Sequence, residues 1–214
     1  MKRRDFSWSA LGLVAAPWLA QAQDKPKTPQ EGTEYLALDN RVSTEVGAGK
    51  IEVLEFFWYS CPHCNAFEPT FEAWIKKQPK DVVIKRNPVR FRETFGPQQR
   101  AYYVLEALNK VDALHAKLFR AIHVDHLKLD TQEALAEWAQ NNGIDADKFN
   151  ATYASFSVAS KANRAAQLQE AFKVQGVPAF GVAGRFYTDA GLAGSMPKVL
   201  ETVEYLINEV RKGR

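Results

Sequence analysis

Ile51-Glu52-Val53-Leu54-Glu55-Phe56-Phe57-Trp58-Tyr59-Ser60-Cys61-Pro62-His63-Cys64 decides the fold, because its pattern changes halfway along. Residues 51–58 are rich in β-formers and almost continuously apolar, the signature of a central strand covered on both faces. Beyond the cysteines, Ala66, Phe67, Phe71, Trp74 and Ile75 recur at helical spacing to about Gln78. Pro62 suits the first helical turn, where its missing N–H is not needed. Pro69 lies inside the pattern and predicts a kink. Asp81–Arg86 is a second strand candidate, closed by Asn87-Pro88.

Towards the C-terminus the character changes. Tyr102, Leu105 and Leu108 form one helical stripe; Leu114, Leu118 and Ile122 form a second. Leu135, Trp138 and Ala139 form a third, with Thr131 as its cap and Asn141-Asn142-Gly143 as its stop. Phe149, Tyr153 and Phe156 form a fourth, and residues 157–173 a fifth that Gly176 ends. Ala179–Val182 and Arg185–Tyr187 then predict a hairpin turning at Ala183-Gly184. Ser195 and Pro197 open a closing helix that turns Val199, Val203, Leu206 and Ile207 inward. Strands at both ends with helices between them predict an α/β sheet domain (34–92 and 174–214) carrying an all-helical insertion (93–173).

The N-terminus, MKRRDFSWSALGLVAAPWLAQAQ, has a basic start, a short apolar run and the small-x-small site Ala20-Gln21-Ala22. That predicts a signal peptide over 1–22, cleaved near Ala22, rather than a retained anchor. The apolar run is about half of the roughly 20 residues a membrane span needs. Arg3-Arg4 also suits twin-arginine export, so the route stays open. Residues 23–33, polar and without periodicity, are expected to be a flexible lead-in.

With 214 residues, 46% hydrophobic and 25% charged, the chain has the composition of an ordinary globular protein, not of a disordered, collagenous or coiled-coil one. Its formal charge is +3, and the signal peptide carries Lys2, Arg3 and Arg4 against Asp5. The mature chain is then close to neutral, with no global field for nucleic acid.

There are only two cysteines, Cys61 and Cys64. Set at a strand end and a helix start, they lie close enough for a disulfide. The first sulfur sits where helix-terminal N–H groups converge and stabilise a thiolate. An imidazole at His63 adds a donor and, when protonated, a positive charge; both depress the thiol pKa, and the thiolate is the reacting form. A c-type haem site needs His directly after the second Cys, where Asn65 stands. A zinc site lacks a second cysteine pair. A purely structural disulfide closing so short a loop would recover little chain entropy. Redox chemistry is the reading with most support.

The stretch VLEFFWYSCPHCNAFEP resembles the active-site segment of DsbA-type thiol:disulfide oxidoreductases of the thioredoxin superfamily. Gly176-Val177-Pro178-Ala179-Phe180 resembles that family's cis-proline loop, and the helical insertion falls where the family has one. The resemblance implies a thioredoxin-like fold with Cys61 as nucleophile and Cys64 as resolving cysteine. Pro62 and His63 would tune the pair, and Pro178 would be the cis-proline beside it. Val177 would offer backbone groups to an extended substrate, as in strand addition. Glu55 would be the buried acid under the site, moving protons to or from Cys64, with Lys85 or Arg86 as its charged partner and Arg86 favoured. His115, His123 and His126 are expected on the insertion surface.

The implied activity is oxidation of reduced, newly translocated proteins in the periplasm. The partners would be unfolded substrate proteins and a membrane quinone-linked reoxidase of the DsbB type. The protein would be a monomer with no metal, cofactor or nucleic acid. An isomerase or reductase variant, or a non-catalytic chaperone holding a stable disulfide, are the alternatives.

Overall fold

Ile51–Phe57 is seven buried residues in a row. It forms a central strand in the computed structural model, which describes residues 28–213. The expected signal peptide, 1–22, and the first part of the lead-in lie outside the described residues. In chain order, β1 (Leu36–Ala37), β2 (Ile51–Phe57), α1 (Pro62–Ile75) and β3 (Val82–Pro88) come first. A 3₁₀ turn at Glu93–Phe95 leads into α2 (Gly96–Ala107), α3 (Val111–His123), α4 (Gln132–Asn141), α5 (Ala146–Tyr153) and α6 (Phe156–Ala171). The chain then returns through β4 (Ala179–Val182), β5 (Phe186–Asp189), α7 (Ala190–Ala193) and α8 (Met196–Arg211). This is a thioredoxin-like sheet domain with helices inserted between β3 and β4.

The sheet order is β1-β5-β4-β2-β3. β2 pairs in parallel with β3, placing Glu55 opposite Arg86, and antiparallel with β4, placing Glu55 opposite Phe180. One face of the sheet packs Val53, Phe180 and Val182 against α1 and α8, the latter through Val199, Val203, Leu206 and Ile207. The other packs Leu54 and Phe56 against Leu168 and Phe172 of the inserted segment. A Cβ on Gly181 would lie 2.3 Å from the Phe172 ring, so only glycine lets α6 sit this close to β4. The hairpin turns at Ala183 and Gly184, both at positive φ (52° and 64°), the two-residue turn whose twist matches its strands.

Several local expectations need correction. Gln30–Tyr35, partly inside the expected lead-in, is a hydrogen-bonded turn, with Gly32 N–H donating to the Tyr35 carbonyl at 2.7 Å. Phe156 does not extend the α5 stripe; it opens α6 and is 88% exposed. Helix α6 stops at Ala171, and Lys173 (φ 53°), not Gly176, takes the left-handed position after it. Ser195 stands at the N-cap of α8 but makes no side-chain cap, whereas the Thr131 hydroxyl accepts from Ala134 N–H at 3.2 Å. Pro69, where a kink is expected, lies inside α1, which continues to Ile75.

Candidate active site

Cys61 occupies the N-cap of α1, with Pro62 in the first turn. Both cysteines are free thiols. The backbone N–H of Cys64 donates to Cys61 Sγ at 3.4 Å, one of the helix-terminal donors that have no partner inside the helix. On the other side, the Cys61 thiol lies 3.4 Å from the Val177 carbonyl, to which it donates when protonated. Val177-Pro178 is a cis peptide bond, so the two predicted loops meet at one sulfur. His63 and Pro62 are exposed beside it.

The two sulfurs differ strongly. The Cys61 thiol is lowered to about 6, first by a hydrogen bond from the Cys64 thiol and then, against the cost of burial, by the N–H groups of Cys64 and His63 and by the His63 charge. Cys64 is 1% exposed; burial pushes its thiol well up, and the Cys61 sulfur and the charge of Glu55 push the same way. At neutral pH the pair therefore holds its negative charge on Cys61.

Beneath the pair lies a buried charge cluster. Arg86, not Lys85, meets Glu55, at 2.7 Å. Lys85 turns outward to Glu45 and Glu52. Arg86 also takes Glu68 through both guanidinium nitrogens at 2.8 Å each, and reaches Glu72. Burial raises Glu55 to about 8, and the Glu68 charge adds to this, outweighing Arg86. Glu68 goes the other way: despite burial, His115 and Arg86 bring it down to about 2. The register of β2 on β3 sets Glu55 against Arg86. Helical spacing sets Cys64, Glu68 and Glu72 on one face of α1.

The insertion grips the segment between β2 and α1 residue by residue. Trp58 stacks on Phe95 with centroids 3.7 Å apart. Gln98 of α2 meets the Ser60 hydroxyl at 2.7 Å and donates to the Leu129 carbonyl at 2.9 Å. The Tyr59 hydroxyl lies 2.8 Å from His115 Nδ1, and the Tyr59 carbonyl 2.8 Å from His123 Nε2. His115, expected on the surface, is 3% exposed, and His123 is half-buried; only His126 is exposed as expected. The reason is that α3 packs against α1 and the Tyr59 segment as well as its own helices. Sequence reading passed over Tyr59, Glu68, Glu72 and Gln98. The four-residue spacing from Cys64 to Glu68 to Glu72 was the one available signal.

A thioredoxin-like sheet with a Cys-Pro-His-Cys pair at the strand-to-helix turn and a cis-proline loop against it defines a thiol:disulfide oxidoreductase. The model of the DSBA-like thioredoxin domain matches residues 52–200. Thiol:disulfide interchange protein DsbA of Bordetella parapertussis is 43% identical over 201 residues, covering 94% of this chain and 96% of the relative. That of Burkholderia cepacia is 38% identical over 202 residues, covering 94% and 93%. A crystal structure of Pseudomonas aeruginosa DsbA superimposes with a TM-score of 0.80 at 38% identity, over 85% of this chain and 94% of that one. The protein belongs to the DsbA family and exchanges disulfides with substrate proteins.

Proposed function

We propose that the protein is an oxidase: it donates a Cys61–Cys64 disulfide to reduced, newly translocated proteins. The observation that carries this reading is the contrast between the two sulfurs, a low-pKa Cys61 against a buried, high-pKa Cys64. A substrate thiolate attacks Cys61 Sγ; the Cys61–Cys64 bond breaks, and Cys64 leaves as a thiolate that needs a proton. Glu55, kept protonated to about pH 8 by burial, supplies it. A second substrate thiolate then attacks the substrate sulfur of the mixed disulfide and expels Cys61. Because Cys61 is a low-pKa leaving group, that step runs towards an oxidised substrate and a reduced enzyme. The Val177 carbonyl beside Cys61 supports a role in pairing with an extended substrate backbone.

Export to the periplasm is supported by the basic start, apolar run and small-residue site of residues 1–22. No helix among the described residues is long and apolar enough to cross a membrane. The reduced enzyme then needs an oxidant, supplied by a membrane quinone-linked reoxidase of the DsbB type. The working unit is a monomer.

Mixing the oxidised protein with a reduced unfolded client tests the reading. The client should gain one disulfide for each enzyme molecule that gains two thiols. Cys64→Ala, mixed instead with a client that already carries a disulfide, should accumulate a mixed disulfide at Cys61 with release of one client thiol, because no second enzyme thiol can resolve it. Client held without any disulfide gain would favour the non-catalytic chaperone instead.

A further inference from the structure

Two histidines of α3, two turns apart, end on the same residue. His123 Nε2 faces the Tyr59 backbone carbonyl at 2.8 Å, so that nitrogen must donate. His115 Nδ1 faces the Tyr59 hydroxyl at 2.8 Å. The His115 ring packs against Phe57 and Phe119, each with centroids 5.2 Å away. With Tyr59 donating to Nδ1, the neutral ring carries its proton on Nε2. That atom lies 3.5 Å from Glu68 Oε1, an electrostatic contact and not a hydrogen bond, and makes no hydrogen bond to any other described group. The charged and titratable groups around the ring are Glu68 and Glu72 of α1, Arg86 of β3, Tyr102 of α2 and Tyr59 itself.

We propose that His115 is a positioning residue for the thiol chemistry: anchored on Tyr59, it holds Glu68 across both nitrogens of Arg86, so that Glu55 shares only one of them. The geometry is specific on this point. Arg86 donates to Glu68 through both nitrogens, at 2.8 Å each, and to Glu55 through Nη1 alone, at 2.7 Å. A carboxyl with half a guanidinium keeps its proton to higher pH than one with a bidentate pair. His115 therefore decides which carboxylate of the cluster stays ionised and which stays a proton donor below Cys64. The helical insertion, through this one side chain, sets the protonation of the sheet domain's buried acid.

The proposal rests on Cys61 and Cys64 being the reacting pair, but its main test does not need turnover. In the full chain with ¹³C-labelled glutamate, the carboxyl titrations of Glu55 and Glu68 are followed by NMR in three variants. His115→Phe keeps the ring and loses both nitrogens. The Glu55 midpoint should fall by about one pH unit and that of Glu68 should rise, a roughly tenfold smaller protonated fraction of Glu55 in its titration range. His115→Gln, which returns an N–H near Nε2, should recover most of the shift. His115→Asn, which reaches only Tyr59, should not. The Gln and Asn pair also decides the matter if the Phe variant does not fold. As a second readout, the pH profile of mixed-disulfide formation should move with the Glu55 midpoint. Parent-like titration of Glu55 in His115→Phe would overturn the proposal. So would equal behaviour of the Gln and Asn variants, with only thermal stability changed. Normal NMR shifts with no disulfide transfer would instead count against the redox reading.

Discussion

On one side of α1, Phe67, Phe71 and Trp74 pack with Phe180 and with Val203 and Leu206 of α8, an apolar aromatic stack whose Phe71–Phe180 centroids are 5.1 Å apart. On the other side, Cys64, Glu68 and Glu72 face Arg86 and the insertion. Both faces are covered, yet they do different work. The apolar face fixes where the helix lies, and almost any well-fitting hydrocarbon could do that. The polar face fixes how protons and charge are shared, and each of its groups depends on the others. The two meet at Phe71, whose ring lies 5.2 Å from the Arg86 guanidinium carbon. One helix thus separates the part of the protein that specifies the fold from the part that specifies the chemistry.

The sharpest way to break this comparison is to damage each face by a similar amount and vary the pH. Phe67→Ala removes a buried ring from the apolar face and should cost about 3–5 kcal/mol of unfolding free energy. Arg86→Ala strips the guanidinium from buried Glu55 and Glu68 and should cost about as much at pH 7. The pH dependence separates them. Without Arg86, Glu68 is a buried carboxylate with a raised pKa, so lowering the pH neutralises it in the fold and the loss shrinks. Denaturant melts at pH 5 and pH 7 should show a smaller Arg86→Ala deficit at pH 5 and an unchanged Phe67→Ala deficit. Equal pH dependence would mean that the charge cluster is not a separate stabilising unit.

The same division explains what could be read from the sequence. The apolar run of β2, the helical spacing of Phe67, Phe71 and Trp74, and the Pro62 start of α1 are local signals, and the structure follows them. The cysteine motif and the Val177-Pro178 loop were legible as a resemblance, because each is short and specific. Glu68 and Glu72 were not, since acids on a helix read as its solvated side; only the insertion folding over them makes them buried and half-buried. His115 was misread for a related reason. It sits next to Leu114, at the edge of the apolar stripe of α3, and a stripe shows one buried face whereas α3 has two covered sides. β1 escaped because it is two exposed residues whose pairing with β5 is set from 150 positions away.

Reduction of the cysteine pair should produce the next largest effect. A thiol held at about 6 in the fold, against an ordinary value of 9.0, is an acid with a depressed pKa. Its contribution to the reduced fold is complete above the unfolded value and is lost as the pH falls through the folded one. At pH 7, one unit above the folded value, it is worth about 1 kcal/mol after allowance for solvent screening. A disulfide between residues three apart offsets little of this through chain entropy. Melts at pH 7 should therefore show the reduced protein as the more stable form, with a margin that grows towards pH 9 and fades below pH 6. If the oxidised protein is more stable throughout, the pair is a structural disulfide.

The smallest effect sharpens the boundary of the polar face. Glu72 is the outermost of the three carboxylates on Arg86, with its side chain 43% exposed against 2% for Glu55 and 6% for Glu68. Arg86 Nη2 carries two N–H groups, one on Glu68 Oε1 and one on Glu72, so losing Glu72 frees a single donor at the half-exposed edge of the cluster. Water can replace its carboxylate, and exposed ion pairs are worth only about 0–1 kcal/mol. Glu72→Gln also keeps an acceptor within reach of the guanidinium. Chemical denaturation at pH 7 should thus register a change below about 1 kcal/mol, further reduced in high salt, where Glu68→Gln should give a larger and less salt-sensitive loss. A Glu72→Gln deficit matching that of Glu68→Gln would place the outer carboxylate inside the buried set. The polar face of α1 would then extend two full turns below Cys64 rather than one.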